Sequence, residues 1–199
     1  MNGTKQALRE AMMAARLRLS LDQRTAFSHV IAERLLALSA VRRARTLALY
    51  APLGAEVDTA EIARAAAASG KRVAYPRLVE GARALGFAAC AEDALRPGAL
   101  RTRAPPPEAP AVLAHELDAI VVPGLAFDAC CRRLGRGGGY YDATLASLPA
   151  RTARVGLAFE VQMVHAVPYE DHDLALDVVV TEAAVRFHAG ACSSADTSR

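Results

Sequence analysis

Asp118-Ala-Ile-Val-Val-Pro-Gly-Leu-Ala-Phe-Asp-Ala-Cys-Cys-Arg-Arg-Leu-Gly-Arg-Gly-Gly-Gly-Tyr-Tyr-Asp142 decides the fold of this 199-residue chain. Its opening run, Asp118 to Val122, is apolar after the aspartate, ends in three β-branched residues and reads as a buried strand stopped by Pro123-Gly124. Tyr141 to Leu148 reads as a helix, so the glycines lie on a loop between strand and helix. The pattern repeats on both sides. Upstream, Thr46 to Tyr50, Arg72 to Pro76 and Ala84 to Ala88 read as strands. Asp58 with Glu61 forms a capping-box signature that opens an Ala-rich helix ending at Gly70. Downstream, Ala153 to Ala158 and Asp177 to Thr181 complete the set. Strand and helix in alternation predict an α/β layer structure with a largely parallel sheet.

The N-terminal part is helical by period. Leu8, Met12, Ala15 and Leu19 share one face. Ser20 with Gln23 makes a capping box that restarts the chain as a second helix, with a stripe of Phe27, Ile31, Leu35 and Leu38. Two helices ahead of any strand require a surface built later in the chain to pack on. Glu92 to Pro110, rich in Pro, Arg and Gly, has no period and reads as an irregular surface loop, either a lid or a connector. One domain over residues 1–187 is expected, followed by a small, polar, disordered tail from His188 to Arg199. No internal repeat is present.

The glycine loop has the chemistry of an anion cradle. Gly135, Gly137, Gly138 and Gly139 allow backbone angles closed to other residues, so successive N–H groups can converge on phosphate. The following helix N-terminus adds partial positive charge. Arg133 and Arg136 add forked donors suited to phosphate oxygens. The loop is no Walker A motif, because no Gly-Lys-Ser/Thr follows. It also lacks the placement of the dinucleotide fingerprint on the first strand of a βαβ unit. Asp142, just past the glycines, can face polyphosphate only through a cation, a need that magnesium meets. Asp177 is the best second carboxylate, with a surface position at a strand edge as the plain alternative and Asp173 and Glu170 as competitors. Lys5 and Arg9, four residues apart, share a helix face. Period alone leaves open whether that face meets solvent or the glycine loop.

Composition narrows the function. Apolar residues make up 53% and charged residues 23%, an ordinary globular balance. No apolar run approaches the roughly 20 residues that span a bilayer. The polar start, Met1 to Glu10, carries no signal-peptide core, so a cytoplasmic setting is expected. A net charge of +3 and 5% aromatic residues give neither the dense basic stripe nor the stacking platform of a nucleic-acid binder. Small-molecule polyanions suit it better. Cys90, Cys130, Cys131 and Cys192 show no metal-ligand spacing, and free thiols are expected. The oligomeric state is open, with a monomer as the expectation.

These residues together resemble the 5-formyltetrahydrofolate cyclo-ligase family, also called methenyltetrahydrofolate synthetases. Pro123 to Asp142 is similar to the family's Pro-Gly-x-x-Phe-Asp and Arg-Leu-Gly-x-Gly-x-Gly-Tyr-Tyr-Asp. Lys5 and Arg9 match its Lys-x-x-x-Arg. Tyr50 to Ile62, with Glu56, Asp58 and Thr59, resembles a further segment, as do Gly70 to Val73 and Pro76-Arg77. Gly156 to Phe159, Gln162, Pro168, His172-Asp173 and Leu176 to Glu182 match the C-terminal block.

The resemblance implies a three-layer α/β/α fold, related to ribose-5-phosphate isomerases and CoA transferases. It implies ATP binding by Lys5, Arg9 and Arg133-Leu134-Gly135-Arg136-Gly137-Gly138-Gly139-Tyr140-Tyr141, with Mg2+ held by Asp142 and Asp177. It implies folate contacts from Ala51, Glu56 and Tyr140, and catalytic roles for Arg133 and Tyr140. The implied reaction is ATP-dependent closure of 5-formyltetrahydrofolate to 5,10-methenyltetrahydrofolate through phosphorylation of the formyl oxygen. Three positions depart from the pattern. Cys131 stands where glycine is common and would be strained by a positive φ. Gly138 stands where some relatives carry lysine. The segment near Ala99 to Pro105 lacks a frequent Glu-Pro. Rival readings are a non-catalytic relative that binds ATP and folate, and a sugar-phosphate isomerase-like enzyme needing no ATP.

Overall fold

The structure is a computed structural model that describes residues 2–169 and 174–189. Three helices come first: α1 (Asn2–Leu17), α2 (Leu21–Ala37) and α3 (Ser39–Arg43). There follow β1 (Thr46–Ala48), α4 (Ala60–Ala68), β2 (Arg72–Arg77) and β3 (Gly86–Ala89). Then come β4 (Arg96–Pro97), β5 (Arg103–Ala104), β6 (Ala111–Val112), β7 (Ala119–Val122), β8 (Ala126–Phe127) and β9 (Arg133–Leu134). The chain continues through α5 (Tyr140–Ser147), β10 (Ala153–Leu157), β11 (Val178–Val180) and β12 (Val185–Phe187).

Eight strands form the central sheet in the order β12-β11-β10-β7-β1-β2-β3-β6. The run from β11 to β2 is parallel, and antiparallel strands extend it at both edges. Side chains alternate across it, as the two-residue period of a strand requires. Leu47, Leu49, Ala119, Val121, Val178 and Val180 meet α2, α3 and α4 through Ile31, Leu35, Val41 and Ile62. Ala48, Ile120, Val122 and Val179 face the other way, onto Phe127 and onto Leu145 and Leu148 at α5. Helices cover both faces of a mostly parallel sheet, giving the three-layer α/β/α arrangement.

The N-terminal layer finds its surface here. Leu8 and Met12 of α1 pack on Ala126, Leu134 and Val167, so α1 lies against the β8–β9 hairpin rather than the main sheet. The Ser20–Gln23 capping box is formed in both directions, at 3.1 and 2.9 Å. The second expected box is not. Thr59 caps α4 without a side-chain bond, because its hydroxyl donates to the Tyr50 carbonyl at 2.8 Å. Asp58 accepts from the Ala60 N–H instead, and Glu61 turns to His29.

Residues 92–110 are more ordered than their composition predicts. Two 3-10 turns and the β4–β5 pair shape them, with Leu95 and Ala109 buried as anchors. Two-residue strands have no period to detect. Cys90 and Cys131 carry free thiols as expected, whereas the Cys130 side chain is not free. Glu170, His172, Asp173, Cys192 and the tail beyond Ala189 lie outside the described residues. Among the described residues no helix is long and apolar enough to cross a membrane.

Candidate functional site

The loop leaving β7 is built around Phe127, which is fully buried. A Cβ on Gly124 would sit 2.5 Å from the Phe127 ring, so Pro123-Gly124 must lack one for the chain to turn there. Gln162 closes the turn by donating to the Gly124 and Leu125 carbonyls at 2.9 and 3.0 Å. Asp128 then organises the next bend. Its carboxylate is almost fully buried and accepts from the Cys130, Arg132 and Val167 N–H groups, each at 3.0 Å. Arg132 pairs with the same carboxylate at 3.2 Å and lies over the Tyr169 ring.

Within that bend Cys131 has φ +57, the left-handed conformation that a glycine would adopt without cost. It is tolerated because the side chain is buried and its thiol donates to the Arg186 carbonyl at 3.3 Å. Burial pushes the thiol up to about 11, which keeps it protonated at neutral pH.

β9 delivers Arg133 under the glycine loop. Its side chain is 4% exposed, donates to the Pro123 carbonyl at 3.2 Å and pairs with Asp142. The guanidinium also lies over the Tyr141 ring, 5.8 Å from its centre. Gly137 has φ +98, and Gly139 has φ +71 as the N-cap of α5. α1 meets this loop from the other side: Arg9 Nε donates to the Gly135 carbonyl at 3.0 Å. The same guanidinium lies 3.5 Å from where a Cβ on Gly137 would stand. Packing of Leu8 and Met12 on the hairpin therefore answers what period left open. The Lys5–Arg9 face meets the glycine loop.

The loop divides two chambers. The smaller, about 170 Å³, is lined by Lys5, Arg9, Arg133, Leu134, Asp142 and Pro168 among others. The larger, about 580 Å³, is mostly apolar and of the size that takes a drug-sized organic ligand. Ala51, Glu56, Tyr140 and Tyr141 line it, with Arg77 and Arg103. Gly135, Gly137, Gly139, Arg133 and Asp142 border both. Arg136 and Gly138 face the larger chamber alone.

Glu56 sits at the inner end, its side chain 7% exposed. It accepts from Arg136 at 2.7 Å and from the Leu53 N–H at 2.9 Å. Tyr50, donating to the Val57 carbonyl at 3.0 Å, is held well above the usual phenol range by burial and then by Glu56. Burial and Glu56 likewise raise Tyr141. Arg16 on α1 is buried, and among the described residues its Nε has no hydrogen-bond partner. Burial lowers it, while the Glu56 charge opposes that change.

Asp177 is not brought to Asp142. It precedes β11, where its carboxylate accepts from the Arg154 N–H at 2.7 Å. β10 and β11 run parallel to β7, so Asp177 marks the end where these strands begin. Asp142 lies beyond the end where β7 stops. The two carboxylates expected to share Mg2+ therefore stand at opposite ends of the parallel strands and do not meet. Among the described residues no group of three or more His, Cys, Asp or Glu is placed to hold a metal.

Sequence reasoning gives no role to Asp128, Arg16, Arg77 or Arg103, although Asp128 and Arg77 fall within quoted motifs. Asp128 was visible inside the quoted motif but had no assigned task. Arg16 shares a helix with Lys5 and Arg9, and nothing in its spacing distinguishes it from a solvated arginine.

The model of the 5-formyltetrahydrofolate cyclo-ligase family matches residues 1–182. The 5-formyltetrahydrofolate cyclo-ligase of Escherichia coli K12 is 31% identical over 84% of this chain and 94% of its own. That of Mycolicibacterium smegmatis is 32% identical over 69% and 73%. The solved 5,10-methenyltetrahydrofolate synthetase of Aquifex aeolicus superposes with a TM-score of 0.81 at 29% identity, covering 95% of each chain.

Proposed function

The chain belongs to the 5-formyltetrahydrofolate cyclo-ligase family, and on that premise we propose that it closes 5-formyltetrahydrofolate to 5,10-methenyltetrahydrofolate using ATP, with release of ADP and phosphate. One observation carries the assignment to this site. A cationic chamber and an apolar chamber share a single wall of glycines, so a phosphate chain and a flat organic ring can meet across it.

The reaction needs that arrangement. A formyl amide is a poor electrophile, and its oxygen leaves badly as hydroxide. Transfer of the γ-phosphoryl group from ATP to the formyl oxygen converts it into a phosphate leaving group. N10 then attacks the formyl carbon, its N–H proton is lost, and the C–O bond to phosphate breaks as the ring closes. Phosphoryl transfer asks the protein mainly for position and for charge stabilisation on the equatorial oxygens.

Lys5, Arg9 and the loop from Arg133 to Tyr141 are the proposed nucleotide contacts. Arg133, buried beneath the glycines, would stabilise the transferring group in this reading. Ala51, Glu56 and Tyr140 are the proposed folate contacts, with Tyr140 at the head of α5 beside the shared wall. Asp142 borders both chambers, which suits a single carboxylate holding Mg2+ along with phosphate oxygens. That ion would neutralise phosphate charge. A cytoplasmic setting and a monomeric state complete the proposed reading.

The test follows methenyl absorbance in purified protein given 5-formyltetrahydrofolate. Absorbance should grow only when ATP and a divalent cation are both present. No growth with ATP, or equal growth without it, would overturn the assignment.

A further inference from the structure

Arg136 and Glu56 form an ion pair across the larger chamber, 80 residues apart in sequence, at 2.7 Å. Their two ends differ. The Glu56 carboxylate is 7% exposed and its second oxygen is fixed by the Leu53 N–H. The Arg136 side chain is 45% exposed and springs from a loop with glycine on both sides. The carboxylate is the fixed member and the guanidinium the movable one. Both line the larger chamber, so the bond between them occupies space that a ligand needs.

A carboxylate that deep is costly to leave unpaired. Only a ligand that brings its own donors can displace Arg136. The pterin edge of a reduced folate carries an amino group beside a ring N–H, two parallel donors that a carboxylate accepts. Displaced, Arg136 need not move its backbone far, because Gly135 and Gly137 on either side of it already border the phosphate chamber.

We propose that Glu56 is an exchange site through which the two substrates are coupled: it holds Arg136 until folate takes its place, and the released guanidinium then engages the nucleotide phosphates. This rests on the reading of the site given above. Arg16 supports it. Its buried guanidinium attracts Glu56 and repels Arg136, which loosens the pair and leaves Glu56 a compensating charge after the exchange. Coupling of this kind is reciprocal, so the nucleotide tightens folate by the same factor.

Calorimetry with a non-hydrolysable ATP analogue tests the exchange, with and without saturating 5-formyltetrahydrofolate. In the wild type, folate should tighten the analogue about tenfold, the gain of roughly one charge-assisted hydrogen bond. Glu56→Gln should bind the analogue alone as tightly as the wild type binds it with folate. Arg136→Ala should bind it weakly in both conditions. The exchange is overturned if folate leaves the wild-type affinity unchanged. It is equally overturned if Arg136→Ala keeps the full response to folate, or if Glu56→Gln alone binds no tighter than wild type alone. Binding of both ligands without coupling sinks the exchange and spares the assigned reaction. Failure of the wild type to bind either ligand sinks both.

Discussion

Arg9 Nε and the Gly135 carbonyl, 126 residues apart, are joined by a 3.0 Å hydrogen bond that makes the first helix one wall of the smaller, cationic chamber. The bond uses one nitrogen of the guanidinium and leaves the other two for an anion. Arg9→Ala should therefore weaken ATP binding while leaving folate binding near wild type. A charged hydrogen bond contributes about 1.5–3 kcal/mol, or roughly 10- to 100-fold in Kd. Calorimetry with each ligand separately decides it, and equal losses for both would reject the assignment.

Asp142 and Asp177 should separate cleanly in a magnesium titration of the reaction. Asp142→Asn removes the one carboxylate among the described residues that borders both chambers, so half-maximal rate should need about tenfold more Mg2+, the effect of one weakened charged contact. Asp177→Ala should leave the magnesium midpoint unchanged. It should instead lower stability by about 1 kcal/mol through loss of the bond to Arg154. A shifted midpoint for Asp177→Ala would restore it to the metal site.

Gly137 tests the shape of the cradle. With φ +98 it holds a conformation that costs a side-chain-bearing residue about 1–2 kcal/mol. Gly137→Ala should lower kcat/KM about tenfold by displacing the loop. Strain of that size should lower the melting temperature by roughly 2–8 °C at this exposed position. A large loss of melting temperature at full activity would contradict this.

Asp128 ties the bend before β9 to Val167, the neighbour of Pro168 in the smaller chamber. In Asp128→Asn an amide N–H must face a backbone N–H, at a cost of about 2 kcal/mol. The melting temperature should fall by roughly 4–8 °C. Because the moved wall belongs to one chamber, KM for ATP should rise while KM for folate holds. Parallel rises in both would mark a purely structural role.

His29 gives a stability effect that depends on pH. Its hydrogen bond to Glu61, then the charges of Glu61 and Glu33, raise it above the usual imidazole value. A raised basic group stabilises the fold fully below its unfolded value of about 6.5, and that contribution disappears as pH climbs through the folded value. Wild type should melt above His29→Gln near about pH 5.5 and match it near about pH 8.5. The reverse order would remove the α2–α4 contact from the account.

Local pattern carried far in this chain, wherever a feature is complete within a few residues. The Ser20–Gln23 box, the buried Ala119–Val122 strand and the strand–glycines–helix order are all set by neighbours in sequence. Period and capping report such features directly. At Asp58 and Glu61 the same signature misled, since Thr59 was drawn to Tyr50 and Glu61 to His29.

Sequence by itself determined the α/β layering, the glycine cradle and the cations near it, because each follows from residue type and short-range spacing. Tertiary structure decided which cations face the cradle, that Arg133 lies beneath it, and that Arg136 is tied to Glu56. It also decided that Asp142 and Asp177 stand at opposite ends of parallel strands. Those outcomes depend on α1 packing against the β8–β9 hairpin and on strand direction. Neither is written in any local window of residues, since the first joins segments more than a hundred positions apart and the second arises only when β7, β10 and β11 share one sheet.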